Sequence, residues 1–163
     1  MVDKIKEGWF RAIVEQAPDA VIFADRDGIT RIWNLGAEAV FGYSEAEVLG
    51  KSLDLIIPEQ LRRAHWEGFH RAVEAGNTRL GRQALATRSI HKNGNKLYLD
   101  LTFGIVKNES GQVVGAMAVA REITSRYLAE VDMRKHVLEL EEKLKALSKH
   151  DSSGPLLSSE NRG

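Results

Sequence analysis

Lys96-Leu97-Tyr98-Leu99-Asp100-Leu101-Thr102-Phe103-Gly104-Ile105-Val106 decides the fold. Leu97, Leu99, Leu101, Phe103 and Ile105 alternate with Lys96, Tyr98, Asp100, Thr102 and Gly104, and a period of two is a strand with one covered face. Such a face needs a sheet around it and a layer over it. Turn chemistry brackets the stretch on both sides: His91-Lys92-Asn93-Gly94-Asn95 before it, Asn108-Glu109-Ser110-Gly111 after it. Extended segments are therefore predicted at 83–91, 96–107 and 113–123. Further upstream, Ala20-Val21-Ile22-Phe23-Ala24 and Ile29-Thr30-Arg31-Ile32-Trp33-Asn34 flank Asp25-Arg26-Asp27-Gly28 and form an antiparallel hairpin, giving strands at 20–24 and 29–34.

Between the hairpin and the last three strands the pattern turns helical. Ala37 to Phe41 stops at Gly42, and Ser44-Glu45-Ala46-Glu47 has the form of a capping box. Pro58 opens a longer helix that Gly76-Asn77 closes, with Leu61, Trp66, Phe69 and Val73, and His65 or His70, on its inward stripe. The order β-β-α-α-α-β-β-β implies an α+β architecture: a five-stranded antiparallel sheet with short helices packed on one face, flanked by N- and C-terminal helices.

Residues 1–16 form the N-terminal helix, where Ile5, Trp9 and Ile13 repeat at four-residue steps. The domain proper occupies 17–124. A second helix follows at 125–147, in which Met133, Val137, Leu140, Leu144 and Leu147 keep the 4-3-4-3 spacing of a coiled-coil seam. Two heptads alone are marginal, so a homodimer is expected to use both stripes together. Residues 148–163 are too polar and broken to pack and read as a disordered tail.

Composition removes several function classes. The 163 residues carry 23 Lys+Arg against 23 Asp+Glu and no Cys. Charge balance leaves no basic footprint for nucleic acid or an anionic membrane surface. The lack of cysteine excludes disulfides, thiolate metal sites and cysteinyl nucleophiles, and fits a cytoplasmic protein. The N-terminus has no apolar stretch of the sort a secretory signal needs, and no uncharged run approaches the roughly 20 residues of a membrane span. Enzyme motifs are missing too: there is no phosphate loop, no Gly-x-Ser-x-Gly and no His-Glu-x-x-His. His136 lacks the Glu and Pro that follow a phosphoaccepting histidine, and one helix after residue 124 is too little for a helix-turn-helix.

The ordered series Ala17-Pro-Asp-Ala-Val-Ile-Phe-Ala24, Asp27-Gly28, Trp33-Asn34, Phe41-Gly42-Tyr43, Glu45 to Lys51, Ile57-Pro58, Lys92-Asn93-Gly94 and Val114-Gly115 resembles a PAS domain. Arg121-Glu122-Ile123-Thr124 resembles the junction through which such domains pass into a signalling helix, with Glu122 where Asp is usual. The resemblance implies a sensory or protein-interaction module that passes its state to the C-terminal helix and an effector protein. A ligand-free interaction module is the alternative. A flavin–cysteinyl photocycle is excluded, because Leu53 stands near the family's Cys position. Heme stays open, since heme-binding PAS proteins use a His on the long helix. With Trp66, Phe69 and Val73 inward, His70 shares their face and is the expected ligand, with Arg82 or Arg88 as loose candidates for a ligand-facing Arg. Trp33, Tyr98, Met117 and Arg121 complete the candidate pocket for a small organic ligand.

Overall fold

Alternation in 96–107 is realised as the long strand near one edge of a five-stranded antiparallel sheet. The computed structural model describes residues 2–79, 81 and 83–151, with side chains from 5 to 148 among them. In chain order the elements are α1 (Val2–Glu15), β1 (Ala20–Asp25), β2 (Thr30–Trp33), α2 (Leu35–Phe41), α3 (Glu45–Val48), a 3₁₀ turn (Leu53–Leu55), α4 (Glu59–Ala75), β3 (Leu85–Ile90), β4 (Lys96–Lys107), β5 (Val113–Glu122) and α5 (Thr124–Asp151). The strand order is β2-β1-β5-β4-β3, with every pair antiparallel. This is the predicted α+β class. The chain divides into two compact units, Met1–Thr124 and Ser125–Gly163.

In the first unit α2, α3 and α4 lie against one sheet face. Ala20, Ile22 and Ala24 of β1, Leu99 of β4 and Ala116 and Ala120 of β5 are buried there, as period-two alternation requires. Trp33, Phe41 and Val48 fill the space beneath β2, with the Trp33 and Phe41 rings 5.2 Å apart and the Trp33 indole N–H donating to the Tyr43 carbonyl at 3.0 Å.

Fully buried Asn34 ties this end together. Its Oδ1 accepts from Val21 N at 2.8 Å and from Ala37 N at 2.9 Å, capping α2; its Nδ2 faces the carbonyls of Val14, Ala17 and Asp19 at 2.9–3.2 Å. One amide therefore satisfies the end of α1, the start of β1 and the start of α2, groups that cannot be left unpaired in the core. The capping box holds as well, since the Glu47 carboxylate accepts the Ser44 backbone N–H at 2.9 Å and pairs with Lys92. Where β1 meets β5, the chains approach so closely that a Cβ on Gly115 would lie 2.1 Å from the Ala24 carbonyl oxygen.

The second unit consists of α5, which runs to Asp151, past the Leu147 limit expected from its seam. Residues 152–163, the rest of the expected tail, lie outside the described residues. Met133, Val137, Leu140, Leu144 and Leu147 are all exposed, as are Ile5, Trp9 and Ile13 of α1 in the first unit. No helix among the described residues is long and apolar enough to cross a membrane.

Candidate functional site

Small residues on α4 create the site. Leu61, Ala64, His65, Gly68, Ala72 and Ala75 recur at helical spacing and face the β3–β4 side of the sheet. Across from them stand Leu99, Leu101 and Phe103 of β4, Ala118 of β5 and Ile22 of β1. Methyl and hydrogen side chains on the helix cannot span the distance to the sheet, so a cavity of about 580 Å³ remains. Gly68 is itself exposed at the cavity edge, and a Cβ placed there would meet nothing within 4 Å. Ile56 and Ile57 close one end, Phe69 borders another, and the walls are overwhelmingly apolar.

Polar groups are few and localised. Ser89 is spoken for, because its hydroxyl donates to the Ile56 carbonyl. His65 is half-buried, stands edge-on to Trp66 at 4.8 Å, and its Nδ1 is buried with no hydrogen-bond partner among the described residues. Burial holds its pKa below the ordinary 6.5, with the Asp54 carboxylate opposing that shift and His70 adding to it. The imidazole is therefore neutral near pH 7, and its Nδ1 is packed out of reach of solvent. Arg71 and Arg79 also border the cavity while remaining exposed, which puts them at its opening to solvent, whereas Arg88 pairs in register with Tyr98 and carries its side chain on the other sheet face.

The expected site needs correction at several residues. His70 does not line the cavity; it is exposed and stacked on Trp66, with ring centroids 5.9 Å apart. The expected inward face centres on Trp66, but that indole packs at the rim of α4, where its Nε1 donates to Asp54 Oδ1 at 2.8 Å and its ring abuts Gly28. Phe69 and Val73 are buried as expected, against Ala24 and Ala116. Turning the helix to its true phase brings His65 to the wall and moves His70 out. Trp33 is core, not cavity lining. Tyr98, Met117 and Arg121 fall on the opposite sheet face, alternating with Leu99, Ala118 and Ala120. Arg121 instead clasps Asp19 with two hydrogen bonds of 2.9 and 2.8 Å, an ion pair that lowers the Asp19 pKa. Of the seven candidate pocket residues only Phe69 lines the cavity. Arg88 borders the cavity from its place on β3, but its register partner is Tyr98 of the other face, and Arg82 lies outside the described residues.

At the junction the three expected residues do meet. The Ile123 N–H donates to the Tyr98 carbonyl at 2.8 Å, and the Tyr98 N–H donates to Thr124 Oγ1 at 3.0 Å. Glu122 Oε1 accepts from the Thr124 N–H at 2.6 Å, a carboxylate on the first free amide of α5. The last residues of β5 are thus bound to β4 at the point where α5 begins. No group of three or more His, Cys, Asp or Glu side chains is placed to hold a metal ion among the described residues.

A family model for the PAS fold matches residues 9–123. Sensor protein FixL of Bradyrhizobium diazoefficiens is 36% identical over 62 residues, which cover 38% of this chain and 12% of that protein. Oxygen sensor protein DosP of Escherichia coli K12 is 27% identical over 107 residues, 66% of this chain and 13% of that one. The chain thus spans well under a fifth of the length of these curated relatives. Among solved structures, the PAS domain of a Colwellia psychrerythraea protein superposes with a TM-score of 0.64 at 23% identity, over 74% of this chain and 98% of that one.

Proposed function

The chain belongs to the PAS-fold family, and from that premise we propose that this sensory domain binds a small, mainly apolar ligand between α4 and the β3–β4 half of its sheet. One observation carries the reading: an apolar cavity of about 580 Å³ lies between α4 and the sheet, with Gly68 at its edge in mid-helix, where a glycine costs about 1 kcal/mol against alanine. A space of that size and apolarity matches ordinary ligand sites. Occupancy pushes on β4 and β5, whose far ends hold Ile123 and Thr124, so the ligand's presence biases the start of α5. The exposed stripes of α1 and α5 serve a homodimer that carries this bias to an effector protein, within the cytoplasm.

The ligand test is mass spectrometry of the native and then the denatured protein, together with an absorption spectrum. Wild type retains a small molecule and Gly68→Leu, which fills the cavity from the helix side, does not. Loss of nothing on Gly68→Leu would leave the cavity without a role. For the dimer, Trp9→Asp or Leu140→Asp lowers the mass in light scattering toward the monomer.

A second reading has its own observation, the half-buried imidazole of His65, neutral near pH 7, among the residues that line the cavity. The residues fit heme: an imidazole for the iron, apolar walls from Leu101 and Phe103, and Arg71 and Arg79 at the opening for its carboxylates. When bound, heme supplies an iron centre open to small gases. His65 would hold it, Phe69 and Phe103 would exclude water, and His70 would remain outside. A Soret band removed by His65→Ala and kept by His70→Ala is the expected result.

A further inference from the structure

The chain enters the sheet through β1 and leaves it through β5, and these strands are neighbours. The segment that follows α1 therefore faces the last residues of β5. We propose that the Asp19–Arg121 ion pair is a second input to the signalling junction, carrying the state of α1 to the first turn of α5 without passing through the cavity.

The register of β1 against β5 ends with Ala20 opposite Ala120. One step beyond it, before β1 has begun, Arg121 Nε and Nη2 donate to the two carboxylate oxygens of Asp19 at 2.9 and 2.8 Å. These residues are 102 apart in sequence, and a two-pronged contact fixes their direction as well as their distance. The Arg121 side chain stays 67% exposed, and a pair so open to water adds little to stability. Its value is as a tie between two points of the chain.

Each end of the tie is anchored near one helix. The Asp19 carbonyl accepts from Asn34 Nδ2 at 3.1 Å, and the same amide nitrogen holds the carbonyls of Val14, in the last turn of α1, and of Ala17. A Cβ on Gly36 would stand 2.3 Å from the Asp19 carbonyl oxygen, so the backbone there cannot shift by itself. The position of Asp19 is thus set together with the end of α1. On the other side, Arg121 lies just before Ile123 and Thr124, whose N–H and Oγ1 are bound to Tyr98. The end of β5 is held from two directions: by β4, which borders the cavity, and by the segment that follows α1. A displacement of α1 that moves Asp19 pulls on Arg121, and through it on the residues from which α5 starts.

Hydrogen exchange of the full chain tests this as a cycle, since a path between two sites is shown only by their coupling. Ala12→Pro removes an amide donor from the last turns of α1, and the readout is the exchange rate of the amides at 123–130. Protection at Ile22 and Leu99 checks that the sheet is intact, and Ala12→Gly repeats the test in smaller measure with a variant that keeps the donor. Exchange at 123–130 rises about threefold or more on Ala12→Pro when Arg121 is present, and does not change on Ala12→Pro in the Arg121→Gln background. Asp19→Asn abolishes the response as Arg121→Gln does, and combining the two adds nothing further. Gly68→Leu acts from the β4 side and changes the same rates by one factor in both backgrounds. No response to either α1 variant with Arg121 present, or an equal response without it, overturns the proposal. A Gly68→Leu effect that vanishes with Arg121 overturns it as well, because the junction then has one input rather than two; the ligand reading does not depend on either result.

Discussion

The two halves of the inner sheet face are built from the same strands and end differently. Beneath β2 and β1, Trp33, Phe41 and Val48 are almost fully buried and Asn34 satisfies five backbone groups. Beneath β3 and β4, Ala64, Gly68, Ala72 and Ala75 leave the space open. Large side chains close one half and small ones hold the other apart. Rigidity at one end and vacancy at the other suit a sensor, because a ligand can move the open half only if the closed half stays fixed.

The largest effect that tests this division comes from the closed half. Trp33→Ala removes a side chain that is 1% exposed, strips its contact with Phe41 and leaves the Tyr43 carbonyl without its donor. A loss of about 3–5 kcal/mol in urea unfolding is expected, a large share of the stability of a domain this size. Leu101→Ala in the open half costs about 1–2 kcal/mol, because the side chain is only half-buried and already borders empty space. Similar losses at both positions would mean that the cavity is packed in solution.

Legibility in the sequence followed the same division. Alternation from Leu97 to Ile105 and the turn residues at 91–95 and 108–111 located the sheet, because strand period and turn chemistry are local. Asn34 was readable as a satisfier of backbone groups, since an amide between a strand and a helix has few other uses. The cavity was not, because it is made of what is missing. Alanine and glycine at 64, 68, 72 and 75 produce no hydrophobic stripe to catch the eye, and Trp66 drew the helix phase toward itself by one residue. Small residues at 4-4-3 spacing on a helix opposite a sheet are the signal that would have found it. Tyr98 was misplaced for a simpler reason, since the parity of Leu99 on the same strand already put it on the outer face, whereas Met117 and Arg121 take their face from the register of β5 against β4, Gly104 opposite Met117 and Asp100 opposite Arg121.

An intermediate effect comes from pH. His65 is held below its ordinary value of 6.5 by burial, so between its folded pKa and 6.5 the unfolded chain binds more protons than the folded one. Stability therefore falls as pH drops below about 6.5, and His65→Gln removes that slope. A second loss follows below about 4.5, where Glu47, held down to about 2 by Lys92 and Ser44, and Asp19, held low by Arg121, take up protons. Urea midpoints measured between about pH 7.5 and 5.5 isolate the histidine from the carboxylates. A flat wild-type profile over that interval would show that water reaches the imidazole and that the open half is wet.

The smallest expected effect is also the most direct probe of the open half. Gly68→Ala adds one methyl group to α4 where nothing stands within 4 Å, and it removes the backbone freedom that makes glycine a poor helix residue. With ligand stripped, the variant gains about 0.5–1 kcal/mol and melts a few degrees higher. With ligand retained the gain shrinks, because the methyl group takes space the ligand uses. Thermal unfolding of both preparations therefore gives a difference of differences in which helix propensity cancels. A variant less stable than wild type after stripping would mean that the space beside Gly68 is filled by the protein itself, and the contrast between the two halves would fail at the residue where it is sharpest.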